Sequence, residues 1–226
     1  MADDTRLTAE YAASADLAWV AEASPHALRR IFLEYRVFTD HYADDLALLT
    51  ARTPRGPLKT LMSELVYEEL GSGDPEQSHI EMLERFIRSL GVRDIEQSTD
   101  SRNLALLTEM RRLLTEEAVI YGIALRGMGG ECVCQVYLTE LHRRLRQNPY
   151  CKSNNDAIDW QFWDVHAGEP DLAHNRKVKH GINEYLARYP DVLPALVNGY
   201  RHSKTMLLDF FSNIYNTARA TDTPAS

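Results

Sequence analysis

The chain has 226 residues, 44% of them hydrophobic and 26% charged, with a formal net charge of −8. That length suits one sizeable domain, and an acidic balance without a basic stripe argues against a nucleic-acid surface. No run reaches the roughly 18 apolar residues of a membrane span, the start Met-Ala-Asp-Asp-Thr-Arg does not read as a signal peptide, and three cysteines make no disulfide framework. A cytoplasmic protein with neither membrane nor nucleic-acid partners is the expectation.

Helical periodicity dominates the chain. Residues 1–24 read as a lead-in helix. From Pro25 to Arg52 the apolar residues Leu28, Ile31, Phe32, Tyr35, Phe38, Tyr42, Leu46 and Leu49 recur at three- and four-residue steps, which predicts one amphipathic helix opened by Ser24-Pro25. A second helix runs from about Leu58 to Leu70 and stops at Gly71-Ser72-Gly73. Asp74-Pro75-Glu76 opens a third, which Gly91 can end. Further helices are predicted over 102–114, 116–147, 157–187 and 191–218. The 116–147 helix is small and apolar on one side (Ala118, Ile120, Ile123, Ala124, Gly127, Gly130), so it should pack in the centre. Residues 148–156 read as a loop and 219–226 as a disordered tail. The sum is an all-α, single-domain, seven-helix bundle, its main body spanning 25–218.

Three places could carry chemistry. The first is Phe162-Trp-Asp-Val-His166-Ala-Gly-Glu-Pro-Asp171-Leu-Ala-His174. Asp171 and His174 are three apart and share a helix face, with Glu169 the competing carboxylate. His166 and His174 are eight apart, about 80° around a regular helix. Gly168 and Pro170 lie between them, so a bulge or kink there would restore a two-turn alignment. Two imidazoles and a carboxylate make half of an iron site, although the same residues can be plain capping groups. The second place is Glu69 and His79, on either side of the Gly-Ser-Gly break, which frees both from straight-helix geometry. The third is Glu131, a carboxylate among small and apolar residues, costly to bury unless paired or metal-bound. Cys132 and Cys134 read as packing residues, and His180 as a non-ligand.

The order Glu69…His79, Glu131, His166…Asp171…His174 resembles the haem-oxygenase-like di-iron oxidases and oxygenases, over roughly residues 27–215. The final run, His-x4-Asp-x2-His, is one residue longer than the family's usual form. The resemblance implies a seven-helix haem-oxygenase-like fold that holds two Fe(II) ions on Glu69, His79, Glu131, His166, Asp171 and His174. Some members add a carboxylate from the first core helix, and Asp44 and Asp45 lie in that region, close to His41 and Tyr42. O2 would be the co-substrate, reacting through a peroxo-diferric intermediate, with room for an external electron donor and a homodimer. No catalytic residue beyond the metal ligands is assigned.

Related enzymes act on free amino acids, while others are N-oxygenases or decarboxylate fatty acids, and metal-free relatives resemble thiamin-salvage hydrolases. A free amino acid needs a cation for its carboxylate. Arg126, Arg176, Lys152, Lys177 and Lys179 are candidates that sequence does not separate. An apolar lining expected from Ile123, Gly127, Val133 and Val136 favours a small aliphatic L-amino acid, oxidised by desaturation, cyclisation (for example to an azetidine) or C–C cleavage in natural-product biosynthesis.

Overall fold

The computed structural model describes residues 2–95, 100–167 and 169–222, with the backbone alone for residues 2, 3 and 169–174. It is all-α, as expected, and contains no strand among the described residues. Helices α1 (Ala2–Ala12) and α2 (Ala15–Val20) lead in. Ser24 then caps α3 (Pro25–Asp40): its Oγ accepts the N–H of Ala27 at 3.1 Å and Pro25 fills the first helical position.

The single helix expected over 25–52 is in fact two, α3 and α4 (Tyr42–Arg52), joined at His41. The His41 imidazole Nδ1 sits 2.9 Å from the Val37 carbonyl, which also accepts the His41 backbone N–H at 3.3 Å. A side chain competing for a ladder carbonyl is a recognised cause of a helix break. Next, α5 (Pro57–Glu69) stops ahead of Gly71 and Gly73, which take φ of 89° and 101°. Asp74 caps only a 3₁₀ turn over Pro75–Gln77, and α6 (His79–Ser89) follows. α7 (Ser101–Glu116) covers the helix predicted over 102–114.

The central 116–147 helix is not regular. It runs as α8 (Val119–Gly122), two π-helical stretches (Ile123–Gly127 and Gly129–Cys134) and α9 (Gln135–Gln147). The expected loop over 148–156 contains α10 (Pro149–Ser153). Asn148 makes it: its Oδ1 accepts the N–H groups of Tyr150 and Cys151, while its amide donates to the Val20 and Ala23 carbonyls at 2.9 Å each. Then come α11 (Gln161–His166), α12 (Glu169–Arg188) and α13 (Leu193–Thr221). The helical segments therefore outnumber the seven expected. α13 also continues into the expected tail: Arg219 pairs with Asp16 at 2.7 Å and covers the Trp19 ring at 4.6 Å. Residues 223–226 of that tail lie outside the described residues.

α13 lies along α3 and the central helix. It crosses the central helix at Gly199, where an added Cβ would fall 2.3 Å from the Tyr121 carbonyl oxygen and 3.0 Å from the Ala124 Cβ. Gly199→Ala should therefore overpack the crossing and lower stability by about 1–3 kcal/mol in urea unfolding. Aromatic side chains fill the bundle on either side of α3. Phe32 meets Phe86 and Trp163 with ring centroids 5.0 and 5.5 Å apart. Tyr35 stacks on Phe211 at 5.3 Å, and Phe211 on Tyr137 at 4.2 Å. Of these rings, Tyr35 also forms part of the wall of a small cavity inside the bundle.

Candidate metal centre

The Gly71–Gly73 break turns the chain between the last residue of α5 and the first of α6. Glu69 and His79 consequently face each other, with Oε2 and Nδ1 2.9 Å apart. His166, the last residue of α11, joins them: its Nε2 is 3.1 Å from His79 Nδ1, and the two rings lie edge to face at 4.5 Å. The other ring nitrogen of His166, Nδ1, donates to the Phe162 carbonyl one turn earlier, at 2.7 Å. A carbonyl can only accept, so Nδ1 carries a proton, and in the neutral imidazole the lone pair is then on Nε2. That tautomer, fixed by a backbone carbonyl, is the arrangement of a metal-ligating histidine.

Glu131 comes from the second π-helical stretch and accepts the Tyr42 hydroxyl on Oε1 at 2.8 Å, both groups buried. Glu69, Glu131 and His166 line one cavity of ≈ 40 Å³, walled by Tyr35, Phe38, Tyr42 and Phe162 with Gly130 and Cys134. The expected apolar lining is corrected here. Ile123, Gly127, Val133 and Val136 do not line this cavity, because the wider turns of the π-helix shift the register of the central helix. Cys132 and Cys134 are buried as packing residues, and burial pushes the Cys132 thiol up to about 12.

The side chains of Asp171, His174 and the competing Glu169 lie outside the described residues. Their backbone is helical at the start of α12, while α11 ends at His166 with Ala167 as its cap. The chain thus changes helix between His166 and Asp171, where a straight helix could not align them. Gly168 itself lies outside the described residues.

Asp44 is exposed on α4 and does not reach the cavity. Its neighbour Asp45, one residue further round the helix, turns inward instead. Asp45 is 3% exposed and is bound by two arginines: Arg126 Nε at 2.9 Å and Arg111 Nη1 at 2.6 Å. Arg126 is 1% exposed, donates to the Phe38 carbonyl at 3.0 Å, and lies over the Phe38 and Tyr42 rings at 4.2 and 4.6 Å. That commits Arg126 to the fold. Among the other cations, Lys179 pairs with Asp4 at 2.6 Å, Lys177 with Glu68 at 4.0 Å, and Arg176 and Lys152 are exposed. His180 is exposed beside Glu184. Sequence reasoning left Tyr42 as a core residue and did not foresee the Asp45–Arg126 pair. Its signal was an arginine inside Ile123-Ala-Leu-Arg126-Gly, which needs a buried acid partner.

Burial alone would raise the Glu69 carboxyl, but the imidazoles of His79 and His166, with Arg126 behind them, hold it below its ordinary value. Burial, and the carboxylates Glu131 and Glu69, push the Tyr42 phenol well above its ordinary value, so it keeps its proton and donates. Among the described residues no group of three or more His, Cys, Asp or Glu is already arranged to hold a metal ion. Instead the donors are closed on one another through the His79 N–H, and Glu131 on Tyr42. Their spacing nevertheless fits: donors on adjacent corners of an octahedron with bonds of about 2.1 Å lie about 3.0 Å apart. The 2.9 and 3.1 Å separations match that edge. Mixed imidazole and carboxylate donors also suit iron.

The model of a family described as iron-containing redox enzymes matches residues 29–206, most of the chain and all of the cavity residues. The chain belongs to that family. The matched span starts in α3 and ends in α13, so it covers the body of the bundle. No curated protein matches the chain. Among solved structures, a CadD-like protein of unknown function from Nostoc punctiforme is similar at 16% identity and a TM-score of 0.71, covering 96% of this chain and 99% of its own. A TenA homologue from Pyrococcus furiosus is similar at 14% identity and a TM-score of 0.70, covering 94% and 96%. At such identities these likenesses speak for the fold alone. No helix among the described residues is long and apolar enough to cross a membrane.

Proposed function

We propose that this family member is an O2-dependent di-iron oxidase or oxygenase acting on a small aliphatic L-amino acid. Two Fe(II) ions would be held by Glu69, His79, Glu131, His166, Asp171 and His174. The observation that carries the reading is His166, its Nδ1–H fixed on the Phe162 carbonyl and its Nε2 aimed at His79 beside Glu69, on the same cavity as Glu131. Bound iron would supply redox chemistry and open positions for O2.

The chain's own residues do the rest. The Phe162 carbonyl holds the His166 tautomer, and the Gly71–Gly73 break lets Glu69 and His79 address one point. Tyr35, Phe38, Tyr42 and Phe162 keep bulk water out of the reacting volume, which protects reactive species from side reactions. The cavity is small, ≈ 40 Å³, which favours a compact substrate over a long acyl chain.

The test is anaerobic titration with Fe(II), followed by O2 and a panel of free amino acids read by mass spectrometry. Wild type should take up close to two equivalents, and His79→Ala and His166→Ala should each lose at least one. An aliphatic amino acid should then lose two hydrogens or be cleaved. Gain of one oxygen on the amine would assign N-oxygenation instead, and consumption of a fatty acid would replace the substrate class. Wild type that binds less than about one equivalent, or histidine variants that bind like wild type, would remove the metal reading altogether.

A further inference from the structure

Tyr42 is held from three sides. Its hydroxyl donates to Glu131 Oε1 at 2.8 Å. Its ring lies 4.6 Å from the Arg126 guanidinium, itself locked by Asp45 and the Phe38 carbonyl. Opposite stands Gly130, where an added Cβ would fall 2.0 Å from the phenol oxygen and 2.4 Å from Cζ. The slot that receives the phenol therefore exists only because residue 130 has no side chain. Gly130 directly precedes Glu131, so one short piece of π-helical backbone both opens the slot and carries the carboxylate.

A glutamate side chain has several rotatable bonds and reaches a defined position only when something restrains it. Here the restraint is a rigid ring wedged between a guanidinium and a glycine. A carboxylate oxygen accepts and a phenol O–H donates, so the role of Tyr42 toward Glu131 is that of a donor. Groups that hydrogen-bond a ligating carboxylate set its orientation and basicity.

We infer that Tyr42 is a positioning residue for the metal centre, its phenol holding Glu131 Oε1 so that the carboxylate is oriented toward the metal before the metal arrives. Arg126, Asp45 and Gly130 act behind it by fixing the ring. The inference rests on the reading of Glu131 as a ligand, and it goes beyond that reading in assigning a role to a residue that touches no metal.

The experiment measures Mn(II) affinity, by calorimetry or by the spectrum of unbound Mn(II), for wild type, Tyr42→Phe, Glu131→Ala and the double variant. Phenylalanine keeps the ring and removes only the hydroxyl. Tyr42→Phe should weaken Mn(II) binding by about 10–100-fold. In the Glu131→Ala background the same change should alter affinity by less than about twofold, since the phenol then has nothing to position. Gly130→Ala, which expels the phenol from its slot, should reproduce the Tyr42→Phe loss. Wild-type affinity in Tyr42→Phe would overturn the inference alone, as would an equal loss in both backgrounds, which a merely structural hydrogen bond would give. Wild-type affinity in Glu131→Ala would overturn the ligand reading, and this inference with it.

Discussion

Asp45→Ala should destabilise the protein by about 3–5 kcal/mol, because it strands a buried guanidinium. Arg126 is 1% exposed, and its Nη1 already has no hydrogen-bond partner among the described residues. Without Asp45, the Phe38 carbonyl and the faces of Phe38 and Tyr42 would remain, among the described residues, to compensate its charge. For a chain of this size the loss corresponds to a fall of roughly 6–20 °C in the denaturation midpoint, read by calorimetry. Asp45→Asn should cost nearly as much, since shape is kept and charge is lost. Removing Arg111, which meets the same carboxylate from a half-exposed position, should cost far less. A similar loss for Arg111→Ala and Asp45→Ala would show that the pair is worth no more than a surface bridge.

Metal binding should in turn stabilise the fold. A ligand that binds only the native state at 100 times its dissociation constant adds about 2.7 kcal/mol. Anaerobic Fe(II), or Mn(II) as an air-stable substitute, should therefore raise the unfolding midpoint, and a chelator should return it. The shift should vanish in His79→Ala, whose imidazole faces both Glu69 and His166. It should persist in His180→Ala, which is exposed beside Glu184. An equal shift in all three proteins would mean that the metal binds elsewhere.

The all-α character and most helix positions were readable from apolar periodicity, and the Ser24-Pro25 start and the Gly71–Gly73 stop were readable from local backbone preference. Those signals lie within a few residues of their effect. What was hidden depends on partners distant in sequence. Asn148 caps α10 while binding carbonyls of residues 20 and 23, so the segment it caps reads as a loop when taken alone. Asp45 was not separable from Asp44, because the choice depends on Arg126, 81 residues away. The cavity lining was misread for a different reason. A uniform helical wheel drawn through 116–147 fails where the turns widen, and no residue type announces that widening. Glu131 could be nominated because a carboxylate among apolar residues is costly to bury, Glu69 and His79 because they flank a chain break, and His166 because of its spacing to Asp171 and His174.

The widened stretches contain Gly127, Gly129 and Gly130, and glycine disfavours a helix interior by about 1 kcal/mol relative to alanine. As free peptide such a segment would hardly hold a helical shape. What keeps it ordered is the set of neighbours lying against it, α13 above all, together with α4 and α12. Exposure of Glu131 should then need an opening that also undocks those neighbours rather than local fraying. The carboxylate should therefore be protected by the packing of its neighbours, although the piece of backbone that carries it is intrinsically weak.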